Sequence, residues 1–297
     1  MKLVAFETTD ATTPRLGILD GSRLRPLSGT DVDLRSVLER DPDHVPPVGD
    51  EQLDAGSARL LAPLPRPGKI VCIGLNYHDH CREQRIEPPA YPMLFFKFAN
   101  AVSDPGQPVT RPRATEKLDL ECELAVVIGR RASRIGRDEA MDAVFGYTIL
   151  NDVTMRDLQR EDRQWLRAKG SDGFAPIGPA VVTRDELGEG RGLRLRSSVN
   201  GQAWQDSTTD EMVFDVPTLV AFVSRTITLE PGDMIATGTP AGVGHFQDPP
   251  RYLKGGDTMR CEIEGIGVLE NPVVDETPRT HDHAAAAGVA ELLPAPR

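Results

Sequence analysis

The stretch Leu118-Asp-Leu-Glu-Cys-Glu-Leu-Ala-Val-Val-Ile128 constrains this chain more than any other. Its first half alternates and its second half is wholly apolar, as a strand does when it enters a core. Leu118, Leu120, Cys122 and Leu124 then share an apolar face, while Asp119, Glu121 and Glu123 follow one another on the other face at steps of about 6.8 Å. Three like charges on one face repel, and a strand running on into Val126, Val127 and Ile128 sets them beside a core. Either that face is solvated, or a hard divalent cation relieves the repulsion by taking carboxylate oxygens together with water and substrate oxygens. Asp152, just past the apolar run 144–150, is a third ligand if the two strands are neighbours, which spacing does not decide.

Charge narrows the partners. The 297 residues carry 34 Lys plus Arg against 45 Asp plus Glu, a net −11 that repels a phosphate backbone and leaves no basic stripe, so no nucleic-acid partner is expected. The chain turns acidic at Glu7 before any signal-peptide apolar region forms and contains no run of 18 apolar residues, so neither secretion nor a membrane partner is expected. Cys72, Cys81, Cys122 and Cys261 show no CxxC spacing, and a reducing, cytoplasmic compartment is the simplest reading.

Gly and Pro, 27 and 25 of them, punctuate the chain into short strands and turns. Residues 1–62 read as a small β-rich domain with one helix over 33–40. Three prolines within 62–68 mark a linker, 69–275 form the main domain, and 276–297 form a frayed or partly helical tail. In the main domain, 69–74 and 144–150 read as buried strands, 76–85 and 153–168 as helical, Asn200-Gly201 as a type I′ hairpin turn, and Asp215 as a helix N-cap.

Further residues could carry chemistry. His80 and Glu83, at i and i+3, face one side of a helix, and a carboxylate that fixes an imidazole makes a general base; the alternative is a polar surface helix. His78 points elsewhere. Lys169 sits in a Gly-bounded loop. Lys97, in Phe95-Phe-Lys-Phe98, reads equally as the polar face of a strand. Arg156, Arg160, Arg163 and Arg167 could meet an anionic substrate or form a solvated face. The segment Gly238-Thr-Pro-Ala-Gly-Val-Gly244 lacks the ending of a P-loop but could present backbone N–H groups and Thr239 to a carboxylate. His281 and His283 read as incidental.

Taken together, the ordered segments Gly74-Leu-Asn-Tyr-x-x-His80-x-x-Glu83, Leu118-Asp-Leu-Glu121-x-Glu123, Asn151-Asp152-Val-Thr-x-Arg-Asp157, Lys169-Gly-x-Asp and Pro231-Gly-Asp-x-Ile-x-Thr-Gly-Thr-Pro-x-Gly-Val-Gly244 resemble the fumarylacetoacetate hydrolase family. The resemblance implies an α+β, β-rich fold, a mixed β-sandwich roll with a small N-terminal domain, commonly a homodimer. It implies Mg²⁺ or Mn²⁺ at Glu121, Glu123 and Asp152. His80 and Glu83 would be a water-activating dyad on a lid segment, and Lys169 would steady or protonate an enolate. Tyr77, Lys97, Arg156 and Thr239 are the expected substrate contacts. The activity expected first is hydrolysis of a C–C bond in an acylpyruvate-type or diketo-sugar 2-oxo acid. Decarboxylation, isomerisation or dehydration at the same metal site is the alternative, and a catalytically silent 2-oxo acid binder a second.

Overall fold

Apolar runs closed by Gly or Pro become strands, and the strands join two large sheets. The computed structural model describes residues 1–9, 11–29 and 33–277, so His281, His283 and the tail beyond residue 277 lie outside the described residues. The larger sheet has twelve strands. Its main path runs from Leu53–Asp54 through Arg23–Pro26, Ala11–Asp20, Lys2–Thr8, Ala175–Thr183, Val144–Asn151, Cys122–Ile128, Met234–Ala236 and Ile70–Gly74 to Met93–Lys97. A second sheet of five strands orders Gln202–Thr208, Arg194–Val199, Thr258–Ile263, Gly267–Asp275 and Val109–Arg111. Most pairs are antiparallel, but Met234–Ala236 runs parallel to Ile70–Gly74, so the sheet is mixed, as the β-rich fold class requires.

The strand Cys122–Ile128 is buried throughout, with a core on each face. Cys122, Leu124, Val126 and Ile128 pack with Leu118 and Leu120 against Leu195, Cys261, Ile263 and Leu269 of the five-stranded sheet. Ala125 and Val127 pack on the other side with Leu3, Leu34 and Val37. Burial on both faces explains why alternation gives way to a continuous apolar run. Each large side chain so buried contributes roughly 1.5–3 kcal/mol relative to exposure.

Several expected elements form. Leu34–Arg40 is a helix capped by Asp33, His78–Gln84 is a helix, and Asp215 caps Val216–Ser224 by accepting from the Thr218 amide. Val199 pairs with Gln202 across Asn200 and Gly201, whose φ of 52° and 78° are the left-handed values of a type I′ turn.

Two expectations change. The 118–128 strand is broken at Leu120-Glu121: Leu118–Asp119 pairs instead with Thr154–Met155. The amides there bond to side chains rather than to a ladder, Leu120 N–H to Asp119 Oδ1 and Cys122 N–H to Gln205 Oε1. The 153–168 segment is not one helix. It is the strand Thr154–Met155, the helix Arg156–Glu161 and the short helix Leu166–Lys169. The proline segment 62–68 falls between strands, and Lys2–Thr8 pairs with Ala175–Thr183, so the N-terminal strands extend the main sheet and share its core.

Candidate active site

The carboxylates meet because two neighbouring strands end together. Cys122 pairs with Asn151, and the Asp152 amide donates to the Glu121 carbonyl at 2.8 Å, which sets Asp152 opposite Glu121. Glu121, Glu123 and Asp152 each offer an oxygen, all within 4.8 Å of one another and all buried. The solvated-face reading is thereby excluded. Asp119, fully buried, is turned away from this group. It accepts from Arg156 Nε at 2.9 Å and from the Gly244 and His245 amides, both at 2.9 Å.

Three buried cations face these four acids. Lys169 Nζ donates to Glu121 at 3.0 Å, Asp152 at 2.7 Å and Thr154 at 2.8 Å. Arg156 Nη1 lies 2.6 Å from Glu121. Lys97 Nζ lies 2.7 Å from the other oxygen of Asp152 and donates to the carbonyls of Val153, Lys169 and Phe174. Burial works against the Glu121 carboxylate, but Lys169 and Arg156 outweigh it and hold the group at about 2. Glu123 goes the other way: burial, then Asp152 and Glu121, push it well above the carboxylate range. It accepts from the Gly238 amide at 2.9 Å. With all four acids ionised they would outnumber the three cations, and the raised pKa of Glu123 reflects burial and that excess. A divalent cation at these three hard oxygen donors would favour the ionised form of Glu123, so the donor set fits one.

Across from the triad stands His80, whose Nδ1 is 2.7 Å from Glu83 Oε2. Glu83 is held in turn by the Gly242 amide at 2.8 Å. With Nδ1–H given to the carboxylate, Nε2 is left bare, and the Gln84 amide nitrogen donates to it at 2.7 Å. Asn76 fixes the start of this helix through the Phe214 and Thr237 carbonyls and the Phe214 amide.

Glu121 and Glu123 of the triad and His80 of the dyad line one cleft of about 390 Å³, with Asp152 and Glu83 behind them. Its wall includes Lys169, Arg156 and Thr239, and Gln84, Met93, Phe95, Gln159, Arg160, Trp165, His245 and Phe246 also line it. Two expected substrate contacts are elsewhere. Tyr77 is fully buried behind the cleft, bridged to Met212 through its backbone. Lys97 is neither a solvated strand face nor on the cleft wall, because its strand turns it inward onto Asp152. The Gly238–Gly244 amides also serve the protein itself, bonding Glu123, Glu83 and Asp119. His245 and Phe246 follow that glycine segment directly, and reading two residues past the motif would have reached them.

The family model for the fumarylacetoacetate (FAA) hydrolase C-terminal domain matches residues 69–274. The chain belongs to the fumarylacetoacetate hydrolase family. Within it, the chain is 41% identical over 288 residues to oxaloacetate tautomerase fahd2, mitochondrial, of Xenopus laevis, covering 92% of this chain and 90% of that protein. Among solved structures, fumarylacetoacetate hydrolase of the psychrophile Exiguobacterium antarcticum superposes with a TM-score of 0.81 at 39% identity, over 93% of this chain and all of that one. The 5-carboxymethyl-2-hydroxymuconate delta-isomerase of Mycobacterium smegmatis gives a TM-score of 0.78 at 35% identity, over 93% and 100%. The chain is therefore a member of an enzyme family, with a buried acidic triad that could bind a divalent cation. Among the described residues no helix is long and apolar enough to cross a membrane, and all four cysteines are free and buried.

Proposed function

We propose that this protein is a divalent-metal-dependent isomerase that interconverts the enol and keto forms of a small 2-oxo acid of the oxaloacetate type. The observation that carries this reading is the commitment of Lys169. All three of its ammonium protons point to Glu121, Asp152 and Thr154, so none is directed at an enolate, which the family resemblance expected Lys169 to steady or protonate in hydrolysis. Enol–keto exchange needs one acid–base group and a stabilised enolate. The names of the relatives, oxaloacetate tautomerase and delta-isomerase, point the same way.

Mg²⁺ or Mn²⁺ at Glu121, Glu123 and Asp152 would supply Lewis-acid polarisation of the 2-oxo group. The chain's own residues do the rest. His80 Nε2, released from Gln84, takes a proton from the carbon next to the carbonyl as the electron pair moves onto oxygen. The imidazolium is held by Glu83, and its proton is returned to the enolate oxygen or to carbon. Arg156 and Lys169 keep the ligand carboxylates charged and in place, making them positioning residues. Met93, Phe95, Trp165 and Phe246 narrow the access of water.

The deciding experiment follows the ultraviolet enol absorbance of oxaloacetate with Mg²⁺ and after EDTA, with product identification by mass. Accelerated enol loss that EDTA abolishes, with oxaloacetate recovered intact, is the expected result. Pyruvate and CO₂ from oxaloacetate would establish decarboxylation. EDTA-sensitive cleavage of acetylpyruvate, with no effect on the oxaloacetate enol, would restore the hydrolase reading. The proposal includes the homodimer implied by family resemblance, which light scattering at twice 32.4 kDa would support and at 32.4 kDa would refute. It also includes a reducing compartment, as four free thiols suit; the Xenopus relative's name places that protein in mitochondria, and cytoplasm and mitochondrial matrix both qualify.

A further inference from the structure

We propose that the outer wall of the cleft is a second anion subsite, built by Arg160 and His245, which selects 2-oxo acids bearing a second carboxylate. The inference rests on the reading that the cleft takes a 2-oxo acid, and adds which one it prefers.

The helix Arg156–Glu161 places Arg156, Gln159 and Arg160 at i, i+3 and i+4, on one face, and all three line the cleft. Arg156 is spent inward, on Asp119, Glu121 and Gln159. Its Nη2 is buried with no hydrogen-bond partner among the described residues, which leaves one donor at this wall unsatisfied. Arg160 lies one helical turn further out, about 6 Å away. It is exposed and has no acid partner among the described residues, unlike Arg167, which is paired to Asp162 in a two-point contact.

His245 closes the same wall from another element. Its amide is held on Asp119 and its Nδ1 lies 2.9 Å from the Tyr252 hydroxyl. The Tyr252 hydroxyl can donate to Nδ1, and in that tautomer Nε2–H is a donor at the cleft wall. Burial, then Arg156, with Lys117 and Arg160, lowers the pKa of the ring below the usual imidazole value; Asp119 opposes them but is already shared by Arg156 and two amides. Lys117 lies over the Tyr252 ring at 6.0 Å and adds to the positive rim. A chain of net charge −11 therefore presents unpaired donors of one sign at the outer end of this cleft. Met93, Phe95 and Trp165 also line the cleft, and of these three only the Trp165 indole N–H could donate to an anion. A substrate anchored at the triad by its 2-oxo acid end has its far end here, and a carboxylate is the group that matches a guanidinium beside an imidazole N–H.

The test compares oxaloacetate with 2-oxobutanoate, which carries a methyl group where oxaloacetate has its second carboxylate. Affinity is read with Mg²⁺ present from the fluorescence of Trp165 on the cleft wall. Wild type should prefer oxaloacetate, and Arg160→Ala should cut the ratio of the two affinities by on the order of tenfold or more. Arg160→Lys should restore part of the ratio, and His245→Phe should lower it while His245→Asn, which keeps a donor, lowers it less. In turnover, KM for oxaloacetate should rise more than kcat falls. An unchanged ratio, or equal loss of both acids, overturns the subsite even if tautomerisation is intact. An Arg160-dependent preference in a protein that fails to tautomerise would overturn the proposed reaction and leave the subsite standing.

Discussion

Asp152 is gripped from both sides, by Lys97 on one oxygen and Lys169 on the other, each at 2.7 Å. Removing one ammonium leaves a buried carboxylate half-compensated. Lys97→Met should therefore destabilise the protein by roughly 3–5 kcal/mol, read as a lower midpoint in urea unfolding; an unchanged midpoint would show that the pair contributes little. His80 has a different signature. His80→Ala should retain Mg²⁺ binding by calorimetry while slowing enol–keto exchange by about 10²- to 10⁴-fold, and full turnover would remove it from the mechanism. Sequence spacing alone suggested the His80 and Glu83 contact, because i and i+3 meet on any helix. The inward turn of Lys97 was not visible, since strand alternation says which residues share a face but not which face the core covers.

Among the elements, the helix Val216–Ser224 carries the clearest titration. Burial opposes the charge of Asp215, yet the Thr218 hydroxyl and amide, Arg137 and Arg191 hold its pKa at about 2, below its usual 3.8. A carboxyl depressed on folding contributes stability that is fully present above the unfolded value and is lost as pH falls from 3.8 through about 2. Asp215→Ala should cost about 1 kcal/mol at neutral pH, through the lost cap, and flatten the acid limb of the stability curve between those values. An acid limb identical to that of wild type would refute this. Asp215 was legible as a cap because Asp before Val-Pro-Thr is a local signal. The broken helix over 153–168 was not legible, because Thr154 and Met155 are drawn into a strand by residues 118–119, far away in sequence.

At the scale of the molecule, three buried carboxylates share one site, so a bound divalent cation should stabilise the fold as well as serve the reaction. Mg²⁺ at a hundredfold excess over its Kd should raise stability by about 2.7 kcal/mol, seen as a rise in Tm that EDTA reverses. Glu121→Gln should abolish that rise, and a retained rise would remove Glu121 from the ligand set. The sequence by itself determined what is local: the acids alternating on one apolar-backed segment, the His80–Glu83 helix, the caps, the Asn200-Gly201 turn, and a motif order that names the family. Tertiary structure decided what depends on distant segments meeting. It set Asp152 beside Glu121, gave Asp119 to Arg156, spent the protons of Lys169, and turned the Gly238–Gly244 amides onto the protein's own carboxylates. The reason is physical: backbone propensities and side-chain periodicity act over a few residues, whereas a buried charge must find its counter-charge wherever the packing of two sheets brings one near.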